Sequence, residues 1–174
     1  MNYKQALTEA NTALAQDPRT IFLGYGITKT HALGTLKNVP PAQLLEMPVA
    51  ENLMAGAAIG LSLAGRLPVL YIERCDFLLN ALDAIVNHLN AIPITSRGEF
   101  KPAVIIRVVV GNRDKPLFTG HTHTQDFSKP LCLMVDFPVV QLRAADEIAS
   151  AYEYSRLRQE QGISCALFEY KDLA

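Results

Sequence analysis

AVIIRVVV, residues 103–110, decides the fold. Seven of its eight residues are apolar and most are β-branched, so the run offers no face to water. A strand covered on one face alternates apolar with polar side chains. A continuous apolar run suits a strand covered on both faces, as in parallel sheets packed by helices. Arg107 alone interrupts it.

The flanking sequence repeats the theme. PVVQLR (138–143) and SCALFEY (164–170) read as two further strands and bracket a helix from Ala144 to about Glu160. Upstream, TIFLGYG (20–26) and LPVLYIE (67–73) read as buried strands. A first helix lies in NYKQALTEANTALAQDP (2–18), where Tyr3, Ala6, Leu7, Ala10 and Leu14 recur at helical spacing between a capping Asn2 and Pro18. Further helices are expected over about 51–65 and from Asp76 to about Ile92. Two stretches read as connections: Ile27 to about Leu44, with Pro40 and Pro41, and the polar GNRDKPLFTGHTHTQDF (111–127). Helices alternating with buried strands predict one three-layer α/β domain over 1–174, a mostly parallel sheet with helices on both faces.

The chain has 174 residues, 49% hydrophobic and 19% charged, with a net charge of −1 and scattered basic residues. That balance excludes a disordered chain and gives nucleic acid no electrostatic footprint. No apolar stretch reaches bilayer length and MNYKQ does not read as a secretory signal, so no membrane partner is expected. Cys75, Cys132 and Cys165 lie far apart and are odd in number. They predict buried thiols in a reducing cytoplasm rather than a disulfide framework.

Three features carry chemistry. In MPVAENLMAGAAIG (47–60) Glu51 is the one carboxylate. Such a group in apolar surroundings is costly unless it finds a partner or caps the helix start. The helix it opens places Gly56, Gly60 and Ala64 four residues apart, a smooth stripe for packing on its own sheet or against another subunit. Next, Asp76, Asn80, Asp83, Asn87 and Asn90 share one helical stripe. Asp and Asn form helices poorly, so the stripe is either a plain wet face or a polar network at a subunit contact. Finally, GHTHTQ (120–125) places His121 and His123 on one side of an extended segment. Two histidines without a carboxylate at companion spacing are too few for a metal site, but in a loop they are candidate proton carriers. Glycine-rich phosphate loops and the G-x-S-x-G elbow are absent from the sequence.

Together PVAE (48–51), GAAIGLSLAGRLPV (56–69), ALDAIVNH (81–88) and GHTHTQ (120–125) resemble, in order and spacing, the pyrimidine-binding domain of transketolase-like thiamine diphosphate enzymes. NYKQAL and ALFEY fit the same pattern, and the similarity is greatest to the beta subunits of two-subunit, pyruvate-type 2-oxoacid dehydrogenases. The resemblance implies that Glu51 hydrogen-bonds a ring nitrogen of the cofactor's aminopyrimidine and activates it, and that Phe77 stacks on that ring. It implies an active-site histidine at His123, with a weaker claim for His121, and a subunit contact at Asp83, Asn87 and His88.

The sequence also departs from the family. Members of the family often place a second aromatic near position 75, where this chain has Cys75 after Glu73 and Arg74. The family anchors the diphosphate through Mg²⁺ with a GDG…N motif on a separate domain, and no GDG occurs here. The beta subunits carry a C-terminal domain beyond the point where this chain ends. The expectation is therefore a beta-type subunit whose thiamine diphosphate is shared with an alpha-type chain that holds the Mg²⁺, in an α2β2 heterotetramer. Its reaction would be decarboxylation or two-carbon or acyl transfer on a 2-oxoacid or ketose. The competing readings are a non-catalytic regulatory or scaffold subunit of the same fold, and an unrelated flavodoxin-like binding protein.

Overall fold

The computed structural model describes residues 1–116 and 122–173. Its strands are β1 (Thr20–Gly24), β2 (Leu44–Glu46), β3 (Leu67–Ile72), β4 (Ile105–Val110), β5 (Val139–Leu142) and β6 (Cys165–Tyr170). Its helical segments are α1 (Tyr3–Leu14), α2 (His31–Gly34), α3 (Glu51–Leu63), α4 (Leu78–Leu82), α5 (Ile92–Thr95), α6 (Ser128–Cys132) and α7 (Ala145–Glu160). The strands form one sheet in the order β2-β1-β3-β4-β6-β5, and every neighbouring pair is parallel.

All six residues of β3, β4 and β6 are buried, as their apolar runs demand. One face packs on α3 and the 78–89 segment through Met54, Ala58, Ile72, Leu78, Ile85 and Val108. The other packs on α1 and α7 through Leu7, Leu14, Val69, Ile105, Ile148 and Tyr152. Arg107 belongs to this second face. Its guanidinium makes a double hydrogen bond to Glu169 (2.7 and 3.0 Å), and Nη2 also donates to Thr35 Oγ1 at 3.0 Å. The Tyr152 hydroxyl donates to the same carboxylate at 2.5 Å. A fully buried cation is tolerated because its carboxylate is buried with it.

The structure corrects the sequence reading in three places. The stretch from Asp76 to Ile92 is not one regular helix. A 3₁₀ turn (Cys75–Phe77) leads into α4, then into a π-helical stretch, Asp83–Leu89, and the axis bends by 51°. The connection before Leu44 ends in a short strand, β2, pinned by Gln43, whose side-chain amide donates to the Asp17 and Thr20 carbonyls. Cys75 and Cys165 are buried, but Cys132 is exposed. No single helix is long and apolar enough to cross a membrane.

Candidate functional site

In a parallel sheet each connection leaves from the carboxyl edge, where ligands of open α/β folds collect. Three of these connections bring the candidate residues together.

The first follows β2. Ala50, with no side-chain cap, opens α3, and Glu51 is its first helical residue. Glu51 is only 5% exposed. Its one side-chain hydrogen bond among the described residues is a long one, 3.4 Å, from Asn80 Nδ2 to Oε2. A carboxylate accepts at up to about four positions, so most of this group's capacity is unused although it is out of water.

The second connection follows β3. Its 3₁₀ turn presents Phe77, and α4 carries Asn80 one turn further to Glu51. The π-helical stretch begins where α3 reaches across: Asn52 Oδ1 accepts the Ala84 N–H at 3.1 Å. An acceptor from a neighbouring element competes with the ordinary i−4 ladder, and such local bulges occur often at functional sites.

The sequence stripe of Asp and Asn is thereby divided. Asp76 Oδ2 accepts the Gln125 N–H, Asn80 meets Glu51, and the Asn90 side-chain amide donates to Asp136. Asp83 and Asn87 stay exposed, joined to each other at 2.9 Å, with His88 3.6 Å from Asp83.

The third connection follows β4. His123 packs edge-on against Phe77, ring centroids 5.1 Å apart at 80°, a favoured aromatic geometry. Its backbone is left-handed (φ 75°), and its carbonyl oxygen lies 1.8 Å from where a side chain at Gly111 would begin. Only glycine fits there. The loop is clamped beyond His123 as well: the Phe127 N–H donates to Cys75 Sγ at 3.2 Å, and Asp126 accepts from Ser128 Oγ and Tyr170 Oη. Burial pushes the Cys75 thiol up to about 12. Cys75 thus anchors this loop. His121 lies outside the described residues. Among the described residues no three His, Cys, Asp or Glu side chains converge as a metal site.

The structure therefore brings Glu51, Phe77 and His123 to one edge of the sheet. Sequence reading missed Asn52, Asn80 as the neighbour of Glu51, and Gly111. Gly111 had a visible signal, being the first residue after a fully buried parallel strand. The two asparagines had none, because their partners lie 29 and 32 residues away.

The small-residue stripe is also resolved. Met54, Ala55, Ala58 and Ile59 pack inward, whereas Gly56 and Gly60 are exposed, with nothing within 4 Å of an added Cβ. The stripe does not serve packing on its own sheet.

No family model matches the chain. Curated relatives do. It is 31% identical over 109 residues to the pyruvate dehydrogenase E1 component subunit beta of Chaetosphaeridium globosum, a match covering 59% of this chain and 33% of that one. It is 26% identical over 92 residues to the 2-oxoisovalerate dehydrogenase subunit beta of Pseudomonas aeruginosa, covering 53% and 25%. The matches thus span about a third or less of these relatives' length. Among solved structures, a split-gene transketolase described as an inactive beta4 tetramer superposes with a TM-score of 0.74 at 16% identity, covering 98% of this chain and 51% of that one. That likeness shows the fold. The curated relatives are beta subunits of 2-oxoacid dehydrogenases, and the fold neighbour is a transketolase.

Proposed function

We propose that this chain is the beta-type half of a two-chain thiamine diphosphate enzyme acting on a 2-oxoacid or ketose. The observation that carries the reading is Glu51, a buried carboxylate with spare hydrogen-bonding capacity at the carboxyl edge of the sheet, near an aromatic side chain that also contacts a histidine. These residues fit the aminopyrimidine end of the cofactor. Glu51 would hold a proton at a ring nitrogen, Asn80 would orient that carboxyl, and Phe77 would stack on the ring. His123 would move protons at the substrate's oxygen. When bound, thiamine diphosphate supplies the carbon nucleophile and electron sink for cleaving a bond beside a carbonyl.

The other half of the reading is a partner. An alpha-type chain with a GDG motif would hold the diphosphate and Mg²⁺, and an α2β2 assembly would close two equivalent sites. The outer face of α3, with exposed Leu53, Gly56, Gly60 and Leu63, supports this, as does exposed Leu79 on α4. E1 beta relatives and a split-gene neighbour support a multi-chain protein. The unpaired free cysteines suit a cytoplasmic assembly. A second reading, a scaffold subunit without catalysis, draws on Cys75 in place of the aromatic.

The test is co-expression with the GDG-bearing chain and titration with thiamine diphosphate and Mg²⁺. Glu51→Gln should lower kcat at least a thousandfold with the circular dichroism spectrum and oligomeric state unchanged. An E51Q complex that turns over normally overturns the role given to Glu51.

A further inference from the structure

Beneath α1, on the face of the sheet away from Glu51 and Phe77, lies a cavity of about 260 Å³. Leu7, Leu33, Val109 and three tyrosines, Tyr3, Tyr71 and Tyr170, line it. The wall formed by Ala32 and Leu33 is strained: with His31 they make three consecutive left-handed residues, φ 48°, 48° and 58°. Strain of this kind in non-glycine residues is costly and collects at ligand clamps. The polar groups of the cavity are unevenly partnered. Tyr3 Oη donates to the Leu142 carbonyl and Tyr170 Oη to Asp126, whereas Tyr71 Oη is buried with no hydrogen-bond partner among the described residues. The Glu169 carboxylate in the wall is neutralised by Arg107. Lys4, exposed, and Lys171, half-buried, complete the lining, and neither has an ion pair among the described residues. The cavity is therefore apolar and aromatic within, with uncompensated positive charge at its rim.

We propose that this cavity binds a monocyclic aromatic carboxylate, with the ring inward and the acid at the two lysines. An apolar cavity of about 150 Å³ accepts benzene, so this one holds a substituted ring with a short acidic arm. Three tyrosines favour a ring over an aliphatic chain through offset and edge contacts. The acid belongs at the rim, because the anion within is already balanced by Arg107 while the ammonium groups of Lys4 and Lys171 are unpaired donors. At the inner end a ring hydroxyl gives Tyr71 Oη the acceptor it lacks, and an unpartnered buried donor is costly. The sheet separates this ligand from Glu51 and Phe77, so the proposal does not rest on the function given above.

Isothermal titration of the purified chain, without thiamine diphosphate and at fixed ionic strength, tests the site with 4-hydroxyphenylacetate, phenylacetate and the neutral 4-hydroxyphenylethanol. Saturable binding of 4-hydroxyphenylacetate is expected, with phenylacetate at least threefold weaker and the alcohol at least tenfold weaker. Lys4→Met combined with Lys171→Met should weaken the hydroxylated acid at least tenfold while the urea midpoint stays unchanged. Tyr71→Phe should bind the two acids equally, because the preference for a ring hydroxyl is read by the Tyr71 hydroxyl alone. Absence of saturable binding, equal binding of the alcohol, an unaffected K4M/K171M variant, or a Y71F chain that keeps the preference overturns the proposal. Glu51→Gln should bind 4-hydroxyphenylacetate as the wild type does, so failure of the thiamine reading leaves this result standing, and the reverse holds as well.

Discussion

Helices α7 and α3 cover opposite faces of one sheet, and their outer surfaces are built differently. On α7, Arg156 pairs with Glu153 at 2.9 Å and with Glu160 at 3.0 Å, and Arg158 lies over Tyr154. On α3 the outward residues include Leu53, Gly56, Gly60 and Leu63, and the neighbouring α4 exposes Leu79 at 49%. Exposed i,i+3 and i,i+4 ion pairs suit a helix that always faces water. Glycines in a helix interior cost roughly 0.5–1 kcal/mol each relative to alanine, with no return on a wet face. They suit a surface on which another backbone settles closely. The α7 side carries paired charges beside exposed Tyr154 and Leu157, and the outer face of α3 carries glycines and leucines instead.

The comparison breaks first if the α7 side proves soft. Beneath α7, Arg107 and Glu169 are buried together. Removing one partner leaves the other charged and dry, at about 3–5 kcal/mol. Arg107→Met should therefore collapse the urea midpoint of the isolated chain. A midpoint near that of the wild type would mean that the network contributes little to the α7 side.

Gly111→Ala tests the packing of the loop that follows β4, since its Cβ would collide with the His123 carbonyl. Overpacking of this kind costs about 1–3 kcal/mol. The displaced loop should also loosen the contact between His123 and Phe77, read as broadening of the His123 imidazole resonances. Sharp, unshifted resonances would argue against the collision.

The two sides were not equally legible in the sequence. β3, β4 and β6 announce themselves because burial on both faces leaves nearly continuous apolar runs, broken only by Arg107 and Glu169 in β4 and β6, and no neighbour is needed to read that. Arg107 gave no hint of its role, because Glu169 is 62 residues away. The π-helical stretch was hidden for the same reason: Asn52 reaches Ala84 across 32 residues, while the local pattern is that of an ordinary helix. That shift split the polar stripe, which a regular 3.6-residue period had presented as one surface. The left-handed φ values of His31, Ala32 and Leu33 are likewise invisible to propensity, since no β-branched or glycine signal marks those three positions. The conflict at Glu51 was legible because a lone carboxylate stands in an apolar run, and the structure buries it there.

Gly60→Arg sharpens the comparison from the open side. In the isolated chain it should leave stability unchanged or raise it by up to about 1 kcal/mol, because arginine is the better helix former. In the co-expressed pair it should abolish association, read by sedimentation velocity. Association that survives an arginine there would remove α3 from the partner face.

The smallest expected effect concerns Cys75, which lies beneath the open side. Buried and serving as acceptor for the Phe127 N–H, it should resist iodoacetamide in the native chain, as should Cys165, while exposed Cys132 reacts. The titration has a definite sign. The folded thiol keeps its proton up to about 12, because burial disfavours the thiolate. The unfolded thiol loses it near 8.5. Above that pH the unfolded state binds fewer protons, so the contribution of Cys75 to stability is complete below about 8.5 and declines as pH rises towards 12. Cys75→Ala should flatten that part of the slope while lowering stability at neutral pH, since the Phe127 amide loses its acceptor. An unchanged slope would mean that the thiol is wetter than its position under the His123 loop implies, and the clamp on that loop would have to lie in Asp126 and Tyr170 alone.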